Sequence, residues 1–176
     1  MKLHLLTAIT RPENLPTLAA SIATAHGHAP DVALVWHWRL DPERQHPGGQ
    51  CLKNQMLDTI ADGWVWILDD DNLMTPGFLA EITARISAQP AARLLVCAQR
   101  HNSGGIRTVN RRMLRETHVD AAQVVFARDA IGELRIPEHY CGDGAFIEAL
   151  ANRLTPEQIA YIHRPIVRYN ALRSEP

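Results

Sequence analysis

Three consecutive carboxylates, Asp69, Asp70 and Asp71, follow directly on the apolar segment 64–68. Adjacent anions repel one another, so this cluster is costly unless a cation or a hydrogen-bonding ligand compensates it. Alternate residues of a strand share a side, which directs Asp69 and Asp71 toward one point and Asp70 elsewhere. Carboxylate oxygens suit Mg²⁺ or Mn²⁺, with substrate phosphates completing the shell. The run therefore predicts a divalent metal site, and loop acids that merely turn the chain are the alternative.

A fourth carboxylate, Asp143, stands between two glycines ahead of an apolar, helix-like segment. An acid in this position is a good helix N-cap, and it is also a candidate general base. The sequence leaves both interpretations open. Among the cations, Arg11 and Lys53 are the two whose placement near the predicted strand ends favours contacts to phosphate.

Strand-like and helix-like segments alternate in the first part of the chain. Residues 2–10, 32–36 and 64–68 are predicted as buried strands because they are rich in apolar side chains. Apolar residues at helical spacing predict a helix capped by Asn14 and a second helix over residues 50–61. Strands that alternate with helices pair in parallel through right-handed crossovers. This order predicts a Rossmann-like α/β layer, in which ligands bind beyond the carboxyl ends of the strands.

The remainder of the chain continues the alternation. Thr75, followed by proline, predicts the cap and first turn of another helix. Residues 94–96 and 119–126 are strand-like, and residues 159–169 are expected to be extended. The segment after Cys141 is expected to be the last helix.

The chain has 176 residues, 18 Lys plus Arg, 19 Asp plus Glu and a formal net charge of -1. This length suits one domain, so residues 1–176 are expected to form a single compact unit. A nearly neutral charge argues against a broad basic surface for nucleic acid. No apolar segment approaches the ~20 residues of a membrane span, and no cleavage site suggests a secretory signal. The 3 cysteines are widely spaced and suit reduced thiols, so a cytoplasmic protein is expected.

Five segments, in the right order, resemble the GT-A glycosyltransferases of family 2. The acidic run resembles their DxD motif, and residues 6–15 resemble the first strand and loop, which hold the donor nucleotide. Residues 48–55 are similar to a Gly-rich segment that ends in an Arg-Asn pair, here Lys53-Asn54. Residues 119–128 resemble the strand on the acceptor side, and residues 142–146 lie where the family has the acidic pair with the catalytic base. The acidic run also bears a more distant likeness to glucuronyltransferases of the same fold.

The resemblance implies a GT-A fold, with a mixed, mostly parallel sheet flanked by helices. It implies a metal-dependent enzyme that transfers a sugar from a nucleotide-sugar, most plausibly a UDP-sugar, to a hydroxyl of a glycan, lipid or small-molecule acceptor. The outcome would be inverting, with Asp143 as general base. Manganese or magnesium would be held by Asp69, Asp71 and a C-terminal candidate, His163. Contacts to the donor nucleotide would come from Thr7, Ala8, Thr10, Arg11, Asp41, Lys53, Asn54, Asp69 and Asp70.

Two features depart from the family pattern. The Asp that reads uracil at the end of the second strand comes late here, as Asp41, and Gly142 replaces the first member of the acidic pair. Two other functions therefore stay open. One is a phosphohydrolase or phosphotransferase with an acidic motif after a strand, and the other is a noncatalytic module that binds a nucleotide or a glycan.

Overall fold

The computed structural model describes residues 1–108 and 110–173. Within this part of the chain one sheet contains β1 (Lys2–Ile9), β2 (Ala33–Leu40), β3 (Trp64–Ile67), β4 (Leu73–Met74), β5 (Leu94–His101), β6 (Ile106–Arg107), β7 (Val124–Ala127) and β8 (Ile159–Tyr169). The helices are α1 (Leu15–Gly27), α2 (Gln50–Asp58), α3 (Phe78–Ala88), α4 (Arg128–Ile131) and α5 (Gly142–Arg153).

The strand order is β2-β1-β3-β7-β5-β8-β4, and β6 pairs with β5. Strand β1 is parallel to β2 and β3, and β5 is parallel to β8. Strand β7 is antiparallel to both β3 and β5, so β5 runs in the same direction as β1. Five strands thus share one direction, while β4, β6 and β7 run against them. The predicted α/β fold with a mixed, mostly parallel sheet is confirmed.

Helices cover both faces of the sheet and form two apolar cores. On one face α1 and α3 pack over a core in which the Trp66 and Phe78 rings stack with centroids 3.9 Å apart. On the other face α2 and α5 pack over a core in which Phe126 meets Phe146 edge to face at 5.3 Å. Burial of each such side chain contributes about 1.5–3 kcal/mol to folding. The sheet is therefore held between two helical layers, and its edges carry the loops.

Strand β2 differs from its prediction. It runs to Leu40 rather than ending at Trp36, and it is partly exposed rather than buried. The cause is its place at the edge of the sheet, where β1 is its partner on one side. Leu40 is 54% exposed. An apolar segment is expected to be buried on both faces only when the strand is central, and the sequence alone did not reveal the edge position.

The two predicted helix caps are also corrected. Asn14 precedes α1, but its side chain donates to the backbone oxygen of Asp70 at 3.1 Å instead of capping the helix. Thr75 donates through both its backbone nitrogen and Oγ1 to Ile166 O, and α3 begins only at Phe78. Both polar side chains thus join separate parts of the fold. No helix in residues 1–108 or 110–173 is long and apolar enough to cross a lipid bilayer.

One edge of the sheet collects the ends of several strands. The carboxyl ends of β1, β2, β3 and β8 lie there because these strands share a direction. The turn that precedes β7 lies at the same edge because β7 runs the opposite way. Loops and turns from five separate parts of the sequence meet at this edge.

Candidate functional site

Asp70, the middle residue of the acidic run, shapes the loop after β1. Its carboxylate is buried and accepts hydrogen bonds from the backbone nitrogens of Thr10 and Arg11. The Arg11 guanidinium reaches the other oxygen at 2.7 Å. Charge-assisted contacts of this kind are among the stronger hydrogen bonds in proteins. Asp70 therefore fixes Thr10 and Arg11 in place at the carboxyl edge.

Asp69 and Asp71 both line the cavity beyond the sheet, and Asp70 lines it too. Strand β3 ends at Ile67 and the acids lie in the turn after it, so the predicted strand alternation, with Asp70 directed elsewhere, does not apply. Asp69 Oδ1 lies 2.6 Å from Nζ of the buried Lys53. Burial disfavours the charge on Lys53, but the adjacent Asp69 carboxylate more than offsets it, and the pKa of Lys53 is raised. The pair joins the first turns of α2 to the end of β3.

Asp71 is the least compensated of the three acids. Its Oδ2 lies 3.4 Å from Arg11 and 3.3 Å from Arg173. Burial raises the pKa of Asp71, and the neighbouring Asp69 charge raises it further in spite of both arginines. The backbone oxygen of Asp71 also accepts from Leu172 N at 2.9 Å, so the chain after β8 crosses the acidic run.

Two adjoining cavities open at this edge. The first, of about 230 Å³, is lined by Ala8, Thr10, Arg11, Arg44, His46, Gly48, Asp69, Asp70, Asp71 and Arg173. The second, of about 350 Å³, is lined by Gly48, Gln50, Lys53, Asp69, Arg107, Glu116, Thr117, Val119, Asp120, Tyr140, Cys141, Asp143, Tyr169 and Arg173. Gly48, Asp69 and Arg173 belong to both linings, so a ligand that fills the first cavity reaches the entrance of the second.

Asp41 organises the loop beside the first cavity rather than lining it. Its buried carboxylate accepts from Gln45 N at 2.9 Å and from His46 N at 3.1 Å, which uses both oxygens. Arg44, which has a left-handed backbone (φ 51°), donates through its nitrogen to Asp41 O. The direct nucleotide contact predicted for Asp41 does not agree with this geometry. Arg44 and His46, which this loop places in the cavity wall, are among the lining residues that the sequence did not predict, as is Arg173.

Two other predicted donor contacts also belong to the scaffold. Thr7 is fully buried, and its Oγ1 accepts from Trp36 Nε1 at 3.0 Å. Asn54 forms two hydrogen bonds to the backbone of Ile136, on the loop before α5. Neither residue lines the first or the second cavity. Ala8, Thr10, Arg11, Lys53, Asp69 and Asp70 do line them.

His163 is not brought to the acidic run. It is exposed on β8 at an irregularity in the pairing with β5, and its ring stacks near Tyr161 with centroids 6.4 Å apart. The ligand role predicted for His163 therefore does not agree with the structure. At the end of β8 it is Arg173, ten residues later, that reaches Asp71.

The remaining acids of the run fit a divalent cation. Asp69 and Asp71 are hard oxygen donors on one cavity wall, and the raised pKa of Asp71 indicates negative charge that a cation would compensate. Within residues 1–108 and 110–173, no three His, Cys, Asp or Glu side chains cluster as a complete metal site. The rest of the shell would come from water and substrate phosphates, as is usual for Mg²⁺.

Asp143 lies in the first turn of α5 and in the wall of the second cavity. Its Oδ2 accepts from Ala121 N at 3.1 Å. Burial raises the pKa of Asp143, Asp69 adds to this, and Lys53 opposes it. A Cβ at the preceding Gly142 would collide with the backbone oxygen of Pro137. An acid therefore does not fit at Gly142, and Asp143 stands alone at the start of α5.

This strand order belongs to the GT-A fold, as the likeness to solved structures shows. A structure of TarS from S. aureus in complex with UDP-GlcNAc matches 96% of this chain with a TM-score of 0.73 and 12% identity. Glucosyl-3-phosphoglycerate synthase from Mycobacterium tuberculosis, in complex with Mn²⁺, UDP-glucose and phosphoglyceric acid, matches 99% with a TM-score of 0.65 and 15% identity. These likenesses show the fold.

The match spans only part of these structures. This chain covers 58% of that TarS chain and 73% of the mycobacterial synthase. No protein-family model and no curated protein sequence matches the chain.

Proposed function

We propose that this chain is the catalytic domain of a metal-dependent glycosyltransferase. It would transfer a sugar from a nucleotide-sugar, a UDP-sugar above all, to an acceptor hydroxyl with inversion of configuration. One observation carries the proposal: the cavity that holds the acidic run together with Arg11 and Arg44 adjoins the cavity that holds Asp143, and the two share Gly48, Asp69 and Arg173. The neighbours of this fold that contain UDP, UDP-glucose or UDP-GlcNAc support the choice of donor.

The first cavity suits the donor nucleotide. Arg11, Arg44 and His46 offer hydrogen-bond donors to phosphate, ribose or base, and Arg173 lies over the acidic run. Asp69 and Asp71 would hold the divalent cation, which stabilises the charge that develops on the departing diphosphate. Lys53 keeps Asp69 in position and limits the repulsion among the acids.

The second cavity suits the acceptor. Inversion requires a base on the opposite side of the sugar from the leaving diphosphate. Asp143 faces this cavity, and its raised pKa makes the carboxylate a better base than an exposed Asp. The backbone donor Ala121 N fixes its orientation. We propose Asp143 as a general base for the acceptor hydroxyl.

Calorimetry with UDP, with and without Mn²⁺, tests the donor site. We expect Mn²⁺ to strengthen UDP binding to the wild type and Asp71→Asn to lose about tenfold or more of that affinity, a change of about 1.4 kcal/mol. Asp31→Asn, which removes an exposed acid elsewhere, is the matched control and keeps wild-type affinity. Equal binding by the wild type and Asp71→Asn in Mn²⁺ would refute the metal site.

Release of UDP from UDP-glucose and UDP-GlcNAc tests catalysis. Turnover by the wild type supports the transferase, because water can replace the acceptor hydroxyl. Binding of UDP without any turnover would instead indicate the noncatalytic module. Release of phosphate from a simple phosphoester, without activity on either UDP-sugar, would indicate the phosphohydrolase.

A further inference from the structure

The turn before β7 places in the second cavity a carboxylate, Asp120, that is neither one of the predicted site residues nor the proposed base. Asp120 begins this turn, and its Oδ1 accepts from Ala122 N at 2.9 Å. Its own backbone nitrogen donates to Gln123 Oε1 at 3.3 Å, which completes a capping box. Within residues 1–108 and 110–173, the hydrogen bonds of Asp120 leave Oδ2 without a partner. One carboxylate oxygen thus serves the turn, and the other is available to the cavity.

Asp120 and Asp143 are held side by side by the same turn. The N–H of Ala121 donates to Asp143, and the next N–H, that of Ala122, donates to Asp120. Both carboxylates line the second cavity. Two consecutive backbone N–H groups of the turn before β7 therefore hold two carboxylates in the second cavity. Asp120 comes from that turn, and Asp143 comes from α5.

The surroundings of Asp120 favour proton uptake. Burial raises the pKa of Asp120 to about 7, the negative charges of Asp69 and Asp143 contribute, and Arg107 opposes them. Lys53 and Tyr169 also interact with the Asp120 charge. The other titratable groups in the cavity lining are Glu116, Tyr140, Cys141 and Arg173. A cation bound to Asp69 would weaken the contribution of the Asp69 charge to the raised pKa of Asp120. The contribution of burial, which is the largest, would remain. A carboxyl group that titrates near neutral pH is well matched to general base catalysis.

We infer that Asp120 is the second half of the catalytic base, and that Asp120 and Asp143 together take one proton from the acceptor hydroxyl. The inference rests on the proposed function. The acceptor oxygen forms a bond to the anomeric carbon, and the bond from that carbon to the diphosphate oxygen breaks. The electron pair of the broken bond leaves with UDP. The proton of the acceptor hydroxyl is shared by the two carboxylates, which carry one negative charge afterwards instead of two.

Asp120→Asn separates this role from the structural one. Asn is as good an N-cap as Asp, so the turn and the melting temperature are retained while the base is lost. We expect UDP release from UDP-glucose or UDP-GlcNAc to fall about 100-fold or more, with UDP and Mn²⁺ affinity unchanged. Asp129→Asn, an exposed acid just after the other end of β7, is the matched control and keeps wild-type turnover.

Two acids that act as a unit give non-additive losses. We therefore expect Asp120→Asn combined with Asp143→Asn to be no slower than the slower single variant. The turnover of the wild type should rise with pH through an apparent pKa near 7, and Asp143→Asn should move this midpoint to lower pH because a neighbouring negative charge is removed.

A direct titration gives a readout that does not depend on turnover. In protein labelled with ¹³C-aspartate, one carboxyl carbon should titrate near pH 7 and should be missing in Asp120→Asn. Unchanged turnover and an unchanged pH profile in Asp120→Asn would overturn the inference while the proposed transferase stands. The absence of any UDP release by the wild type would contradict the proposed function itself, and the inference would fall with it.

Discussion

Asn54 and the backbone of Ile136 form a reciprocal pair of hydrogen bonds. Asn54 Nδ2 donates to Ile136 O at 2.8 Å, and Ile136 N donates to Asn54 Oδ1 at 2.9 Å. The pair joins α2 to the loop before α5, 82 residues away in the chain. The pair thus ties α2, which carries Lys53, to the loop that leads into α5, which carries Asp143, and both of these residues line the second cavity.

Asn54→Ala should destabilise the fold by about 1–3 kcal/mol, because both backbone groups of Ile136 lose their partner. Urea unfolding of the variant measures the change in the free energy of unfolding. Gln55→Ala, at the next and exposed position of α2, is the control and should change it by less than about 0.5 kcal/mol. A loss for Asn54→Ala as small as for the control would show that the tether contributes nothing.

Gly49→Ala should damage both the fold and the donor cavity. Gly49 has a φ of +67°, and a Cβ there would overlap Cβ of Ala8 at the end of β1. The left-handed backbone alone costs a residue with a side chain about 1–2 kcal/mol. We expect a loss of about 2 kcal/mol or more in stability, together with weaker UDP binding, since Ala8 lines the first cavity.

Gly27→Ala is the matched control for this change. Gly27 ends α1, a Cβ there would have nothing within 4 Å, and its φ is not positive. Unfolding and calorimetry should give wild-type values for Gly27→Ala. Tolerance of Gly49→Ala to the same degree would contradict the close approach of α2 to β1.

The pair of His4 and His37 should make stability depend on pH. His4 Nδ1 and His37 Nε2 lie 2.9 Å apart, and His4 is buried. Burial lowers the pKa of both rings, each with a contribution from nearby positive charge: His37 and Lys2 for His4, and Arg39 and Lys2 for His37. Asp62 partly opposes the shift of His4.

The direction of this pH dependence follows from the number of protons bound by the folded and the unfolded chain. Below the ordinary histidine pKa of 6.5 the unfolded chain takes up protons that the folded chain still excludes, so stability is lost as pH falls. His37→Gln keeps a polar partner for His4 and removes one titrating ring.

Between pH 7.5 and pH 5 the free energy of unfolding of the variant should fall less than that of the wild type. Urea unfolding at both pH values measures this, with the exposed His28→Gln as control. An identical pH dependence of stability in His37→Gln and the wild type would refute the contribution of the His4–His37 pair.

Much of the fold could be predicted from periodicity and residue type. The alternation of apolar strands and helices predicted β1, β3 and β8 nearly to the residue, and the shared strand direction predicted the acidic run at the edge where the two cavities lie. The position of β2 at the edge and the extension of β5 to His101 depend on sheet neighbours that are distant in sequence. Local pattern carries no information about such neighbours.

The individual site residues were harder to predict, for a physical reason. Thr7, Asp41 and Asn54 have the side chains of ligand-binding residues, but each is used by a backbone group or a tryptophan nearby. Asp120 was placed inside a strand, although the spacing of Asp120 and Gln123 is that of a capping box. That spacing was the signal for a turn at this position.

Arg173 has a practical consequence for how the protein is handled. It lies at the rim of both cavities, and the chain that leads to it is pinned to Asp71 by Leu172 N. A bulky label or substitution at Arg173 would therefore obstruct both cavities at once. Lys2, at the amino end of β1, lies at the opposite edge of the sheet. A label attached to the Lys2 side chain therefore leaves the cavities open.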